Sequence, residues 1–145
     1  MSAKLFVGTW RLVSAEMQSP AGGVSQIFGE NPSGYLIYSA DGYMSAVVMH
    51  DKRANFASPD AMQGSLAEKA AAFDTFGAYC GRYEVKPDRI VHHSELSQFP
   101  NWSGTDQERF FEFSGDRLIL SSAPMMLAGE ERTARLVWQR CGTAI

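Results

Sequence analysis

"YCGRYEVKPDRIVHHSELS", residues 79–97, is the stretch on which the fold turns. Tyr79, Gly81, Tyr83 and Val85 alternate with Cys80, Arg82 and Glu84, and after Lys86-Pro87-Asp88-Arg89 the alternation resumes from Ile90 to Ser97. A period of two is the signature of a strand, and proline suits the first corner of a turn. Folding the two strands together puts Tyr79, Gly81, Tyr83 and Val85 on one face with Ile90, His92, Ser94 and Leu96. That face is the more apolar, so it is expected to point inward. The adjacent histidines are thereby separated. His92 is assigned to the interior and His93 to an outer face with Arg82, Glu84 and Glu95. The two cannot chelate one metal together. His93 with Glu95 falls short of the three or four protein ligands of a zinc site, so no metal is expected.

The same rhythm recurs along the chain. Thr9–Met17 reads as a strand, and Gly34–Ser39 and Tyr43–His50 flank Asp41-Gly42, a two-residue hairpin signal. Gln107–Phe113 and Leu118–Ser121 flank a turn at Ser114-Gly115-Asp116-Arg117, and Thr133–Arg140 closes the series at eight strands. One segment differs. Ser65-Leu66-Ala67-Glu68 is a capping box, and a helical segment spanning about 59–77 is expected between strands three and four. Ser58-Pro59-Asp60 would start it and Gly77 would end it in a left-handed conformation. Leu66, Ala70 and Phe73 would pack on the sheet. The fold class is therefore all-β, an eight-stranded antiparallel up-and-down barrel, since closure removes exposed edges. A barrel of this size can hold one small ligand.

Composition narrows the possible functions. The chain has 145 residues, read as a single domain over 1–145, with 45% hydrophobic and 20% charged residues and a net charge of −3. A nucleic-acid partner would normally require a basic face, so none is expected. No apolar run approaches the ~20 residues of a membrane span. The start, Met1-Ser2-Ala3-Lys4-Leu5, carries no signal-peptide core, and a cytoplasmic location is expected. Cys80 and Cys141 match no metal or redox spacing and read as free thiols. There is no Gly-x-Ser-x-Gly, no Gly-x-x-x-x-Gly-Lys and no His-Glu-x-x-His, and no cofactor is expected.

Gly8-Thr9-Trp10 with Trp138-Gln139-Arg140 resembles the lipocalin pattern. The resemblance implies that the Trp10 indole plugs the closed end and that Arg140 lies across it. Gly34-Tyr35-Leu36-Ile37-Tyr38, Asp41-Gly42-Tyr43-Met44-Ser45, His92-His93 with Pro100-Asn101-Trp102, and Arg109 resemble more narrowly the bacterial lipocalin-like domain family, over nearly the whole chain. This implies a calycin-type barrel around an apolar cavity and supplies no reaction. A helix between strands three and four departs from secreted lipocalins, whose helix lies near the C-terminus.

Alternation assigns the remaining faces. Gln107, Arg109, Phe111, Phe113, Leu118 and Leu120 go inside, with Glu108 and Glu112 outside. Trp10 brings Leu12, Ser14 and Glu16 inward with it, and Arg140, in phase with Trp138, can lie over the Trp10 ring. The 34–50 hairpin fits either face, and the Tyr38/Ser45 face is assigned to the cavity. The expected ligand-binding set is Tyr38, Ser45, Tyr79, Tyr83, His92, Gln107, Arg109 and Phe111. Interior Arg109 should meet Glu16, a tyrosine, water or a ligand anion. His92 is either a ligand or acid/base contact or a satisfied interior histidine. Phe99 and Trp102 form a rim over the cavity or fold back on the helix. Met125-Met126-Leu127 is assigned to a loop or to the floor.

These residues describe binding of a small, mainly apolar ligand with a polar or acidic end. A cofactor-free isomerase, cyclase or hydrolase is the alternative, with His92 as acid/base, Tyr83 as proton donor and Arg109 as anion stabiliser. A third reading is an interaction module with a filled barrel. Phe110 and Ile119 on the outer face point to a homodimer or to helix packing.

Overall fold

The computed structural model describes residues 3–142. Its strands are β1 (Gly8–Gln18), β2 (Val24–Gln26), β3 (Ser33–Tyr38), β4 (Tyr43–Met49), β5 (Phe76–Val85), β6 (Arg89–Ser97), β7 (Thr105–Ser114), β8 (Arg117–Ser122), β9 (Met125–Leu127) and β10 (Glu130–Arg140), with one helix, α1 (Leu66–Asp74). Every pairing is antiparallel. The order β1-β3-β4-β5-β6-β7-β8-β10 is closed by pairing of β10 with β1, which makes the expected eight-stranded barrel. The short β2 and β9 extend β1 and β10 at one end.

The hairpins β3–β4, β5–β6 and β7–β8 all turn at the end where β1 begins and β10 finishes, and they form the floor. The β1–β2 link, α1 and the loop from Phe99 to Gly104 gather at the mouth. The floor is solid. Phe6 sits at the centre with its ring edge-on to Tyr38, Phe111 and Phe113 at 5.5, 5.1 and 5.0 Å. The Trp10 indole donates to the Phe6 carbonyl at 2.8 Å. Arg140 lies over the Trp10 ring at 4.1 Å and donates to the carbonyls of Val7 and Leu5. A cation on the outer face of an indole closes the floor without leaving its N–H groups unpaired.

Three irregularities change which residues face inward. In β1 the pairing with β10 slips between Leu12 and Ser14. Val13 is the extra residue, so Ala15 is buried and Glu16 shares the outer face with Arg135. The expected inward placement of Ser14 and Glu16 is therefore corrected. In β6 the pairing slips at Cys80/Gly81, with Glu95 as the extra residue. Ser97, rather than Leu96, continues the inner face, and Leu96 is left 69% exposed. Gly81 permits this, because a Cβ there would come within 1.9 Å of the His93 carbonyl oxygen. The third irregularity is the β3–β4 loop. Ser39 and Tyr43 close a three-residue loop ending at Gly42, whose φ is +97°, instead of a two-residue Asp41-Gly42 turn. One extra residue reverses the face, so Met44, Ala46 and Val48 join Leu36 and Tyr38 inside, and Ser45 faces out opposite Ile37.

The capping box forms as read, with Ser65 and Glu68 each bonding the other's backbone N–H. Residues 59–64 are not helical. There, the Ser58 and Asp60 side chains accept from nearby backbone amides and hold turns instead. Thr75 ends the helix, and Gly77 already belongs to β5 with no left-handed φ. The helix does not pack on the sheet through Leu66 and Phe73, which are 87% and 46% exposed. Arg53 holds its C-terminal end, donating to the Ala72 carbonyl and the Thr75 hydroxyl.

Candidate ligand-binding cavity

Above the floor the barrel encloses a cavity of about 300 Å³. Leu36, Ala46, Val48, Leu120, Leu136 and Trp138 supply its strand walls, while Ile27, Phe28, Phe76, Met125 and Leu127 close in from the mouth. Met125 and Leu127 therefore line the mouth half and do not pack on the floor. Phe99 and Trp102 stand at the rim, their rings 5.9 Å apart, with Trp102 edge-on to Tyr79 at 5.6 Å.

The polar groups are few. His92 is buried, with its Nε2 2.6 Å from the Tyr38 hydroxyl and its Nδ1 2.6 Å from the Tyr79 hydroxyl. Burial pushes the imidazole down to about 3, with the Arg109 cation and then His93 adding to the shift. Burial also raises both tyrosines, Tyr38 strongly. All three groups are therefore neutral at physiological pH. Arg109 reaches the rim, where its guanidinium lies 5.9 Å from the Trp102 ring. It donates to the Glu108 carbonyl at 2.9 Å and to Gln107 Oε1 at 3.5 Å. It has no partnership with Glu16, which the β1 slip carries to the outside. Two wall residues, Ser97 and Trp138, bury a hydroxyl oxygen and an indole nitrogen that have no hydrogen-bond partner among the described residues.

Of the eight residues expected to bind ligand, Tyr79, His92 and Arg109 line the cavity. Tyr38 stands behind His92. Gln107 braces Arg109 from the rim. Phe111 belongs to the floor plug, and Tyr83 packs on Tyr38 and donates to the Ser39 carbonyl at 2.8 Å, away from the cavity. Ser45 is outside. The outer histidine, His93, pairs with Asp106 at 2.6 Å and faces Glu84 at 3.7 Å, so Glu95 is not its partner. No group of three or more His, Cys, Asp or Glu side chains among the described residues is arranged to hold a metal ion. His50 accepts from the Lys52 amide at the surface, and both cysteines are free and half-buried. Sequence reasoning missed Ile27, Phe28 and Phe76. An apolar pair inside the Gly- and Ser-rich 19–34 stretch was the available signal for the first two.

The lipocalin-like domain family matches residues 7–141, nearly the whole barrel. The chain belongs to that family. A lipocalin-like protein from Bacteroides uniformis shares the fold, with a TM-score of 0.50 and 13% identity over 94% of this chain and 99% of that one. The chain is also similar to the 4'-hydroxy-3'-methoxypropiophenone carrier protein of Aspergillus oryzae. It is 36% identical over 107 residues, covering 67% of this chain and 96% of that protein. No helix among the described residues of this lipocalin-like chain is long and apolar enough to cross a membrane.

Proposed function

We propose that this lipocalin-like barrel binds and carries a small, mainly apolar molecule with one polar end. The observation that carries the reading is the cavity of about 300 Å³, apolar on most sides, with Tyr79, His92 and Arg109 on the remaining wall. Its size falls at the lower end of the roughly 300–1,000 Å³ of ligand pockets, which suits one substituted aromatic ring. The carrier relative, named for an aryl ketone of that size, supports the same class. Apolar walls supply affinity, and the polar wall sets orientation.

The acid/base alternative fits the site poorly. An imidazole held near 3 is a weak base at neutral pH, and both its nitrogens already face hydroxyls. Tyr83 directs its hydroxyl to the Ser39 carbonyl and not to a cavity substrate.

The reading is tested by titrating the protein with 4'-hydroxy-3'-methoxypropiophenone and with the corresponding benzoic acid, followed by tryptophan fluorescence. Saturable one-to-one binding of at least one is expected, and saturation by neither would contradict the reading. Arg109→Ala is expected to weaken the acid by roughly tenfold, as loss of a charge-assisted bond should, and the ketone far less. Equal losses would remove the anion-binding role from Arg109.

A further inference from the structure

Three of the buried polar groups beside the cavity are linked to one another, and the count of their hydrogens bears on what the ligand offers. Tyr38, neutral His92 and Tyr79 own one polar hydrogen each, three in all, and they share two contacts of 2.6 Å. Each contact consumes one hydrogen, so one is left over, and the tautomer of His92 decides where it goes. If Nε2 carries the ring proton, it donates to Tyr38, Tyr79 donates to Nδ1, and the spare hydrogen belongs to Tyr38. Tyr38 is 1% exposed and has no other hydrogen-bond partner among the described residues. Its hydroxyl hydrogen would then be buried and unbonded, which is disfavoured strongly. If Nδ1 carries the proton, Tyr38 donates to Nε2, Nδ1 donates to the Tyr79 oxygen, and the spare hydrogen belongs to Tyr79. Tyr79 lines the cavity.

We infer that His92 is held as the Nδ1–H tautomer, that Tyr79 consequently presents a free O–H to the cavity, and that the ligand offers an acceptor oxygen there, as the carbonyl of an aryl ketone would. This rests on the binding role proposed above and adds to it the direction of the hydrogen bond. His92 is a positioning residue in this account. It turns the Tyr79 hydroxyl into an obligatory donor, both of its own ring nitrogens being engaged by hydroxyls. Tyr38 enforces the arrangement from behind, because Nε2 is its one acceptor among the described residues. Raised tyrosine and depressed histidine ionisations keep the chain of groups neutral over the working pH range, so the polarity does not reverse.

Two measurements test this separately. In the unliganded protein at neutral pH, long-range nitrogen–proton NMR of the His92 ring should show a protonated Nδ1 and a bare Nε2. The opposite tautomer overturns the inference, whatever the protein binds. Binding of propiophenone and propylbenzene, which differ by the carbonyl oxygen, is then compared in the wild type and in Tyr79→Phe. The variant should lose roughly three- to tenfold in ketone affinity, the worth of one neutral hydrogen bond, and should hold the hydrocarbon within about twofold. A ketone affinity unchanged by Tyr79→Phe overturns the inference while leaving the cavity reading intact. Failure of the wild type to bind propiophenone overturns the inference; the binding reading falls with it only if the hydroxymethoxy ketone and the benzoic acid also fail to saturate.

Discussion

The two halves of the barrel use the same strands and similar aromatic side chains to opposite ends. At the floor, Phe6, Phe111 and Phe113 meet edge to face, Trp10 lies tilted against Phe113, and Arg140 caps the indole. At the mouth, Phe28, Phe76, Phe99 and Trp102 stand around a void, and the helix beside them buries no residue. Interiors are close-packed, and a void forfeits contacts its lining would otherwise make. Stability is therefore concentrated at the floor, and the mouth half gives up packing to keep room for a ligand. His92 lies at the junction, with Tyr38 reaching toward the plug on one side and Tyr79 toward the cavity on the other.

Substitutions can break or sharpen this contrast. The largest effect is expected at the floor. Trp10→Ala should cost about 3–5 kcal/mol, as for other large-to-small aromatic core substitutions, measured by denaturant unfolding. A loss under ~1 kcal/mol would deny the floor its role. Gly81→Ala should cost about 1–3 kcal/mol, because the added carbon would overlap the His93 carbonyl at the β6 bulge. The crystal or NMR structure of that variant should show Leu96 and Ser97 displaced.

The junction should respond to acid. The folded imidazole of His92 protonates only near 3, whereas an unfolded histidine does so near 6.5. Between those values the unfolded chain binds the extra proton, so stability falls as pH drops from about 6.5 toward 3 and is unaffected above that window. The slope contributed is at most about 1.4 kcal/mol per pH unit, and His92→Gln should remove it. The smallest effect is expected on the exposed helix, where Leu66→Ser should shift stability by no more than about 0.5 kcal/mol. A larger cost would mean that the mouth is better packed than this contrast allows.

Much of the fold was legible because the pattern was clean where the ladder was regular. β7 alternates through Thr105–Ser114 without a break, and Val85 does pair with Ile90 across the Pro87-Asp88 turn, so Arg109, His92 and Tyr79 were placed correctly from period alone. The errors cluster at single-residue insertions. Val13 stands between Leu12 and Ser14 with no glycine or proline nearby in β1 after Gly8, so nothing marks it as the extra residue, and everything beyond it changes face. The β6 bulge did leave a mark, since a glycine inside a strand often signals one, and Gly81 was read only as part of an alternating face. Asp41-Gly42 matches a two-residue turn, yet the glycine's left-handed φ ends a loop of three. At the site, strand parity placed Tyr83 and Phe111 inward without telling height along the barrel, and both lie in the floor plug. The tyrosine–histidine–tyrosine chain was illegible for a related reason. It joins three strands, and only their mutual register brings the hydroxyls to the two ring nitrogens.

The most direct test is an NMR titration with 4'-hydroxy-3'-methoxypropiophenone that follows side-chain resonances in both halves. Saturable shifts are predicted at Leu36, Val48, Tyr79 and Leu136, with Phe6 and Phe113 unmoved. Shifts confined to the outer face, or none that saturate, would contradict a ligand cavity in the mouth half.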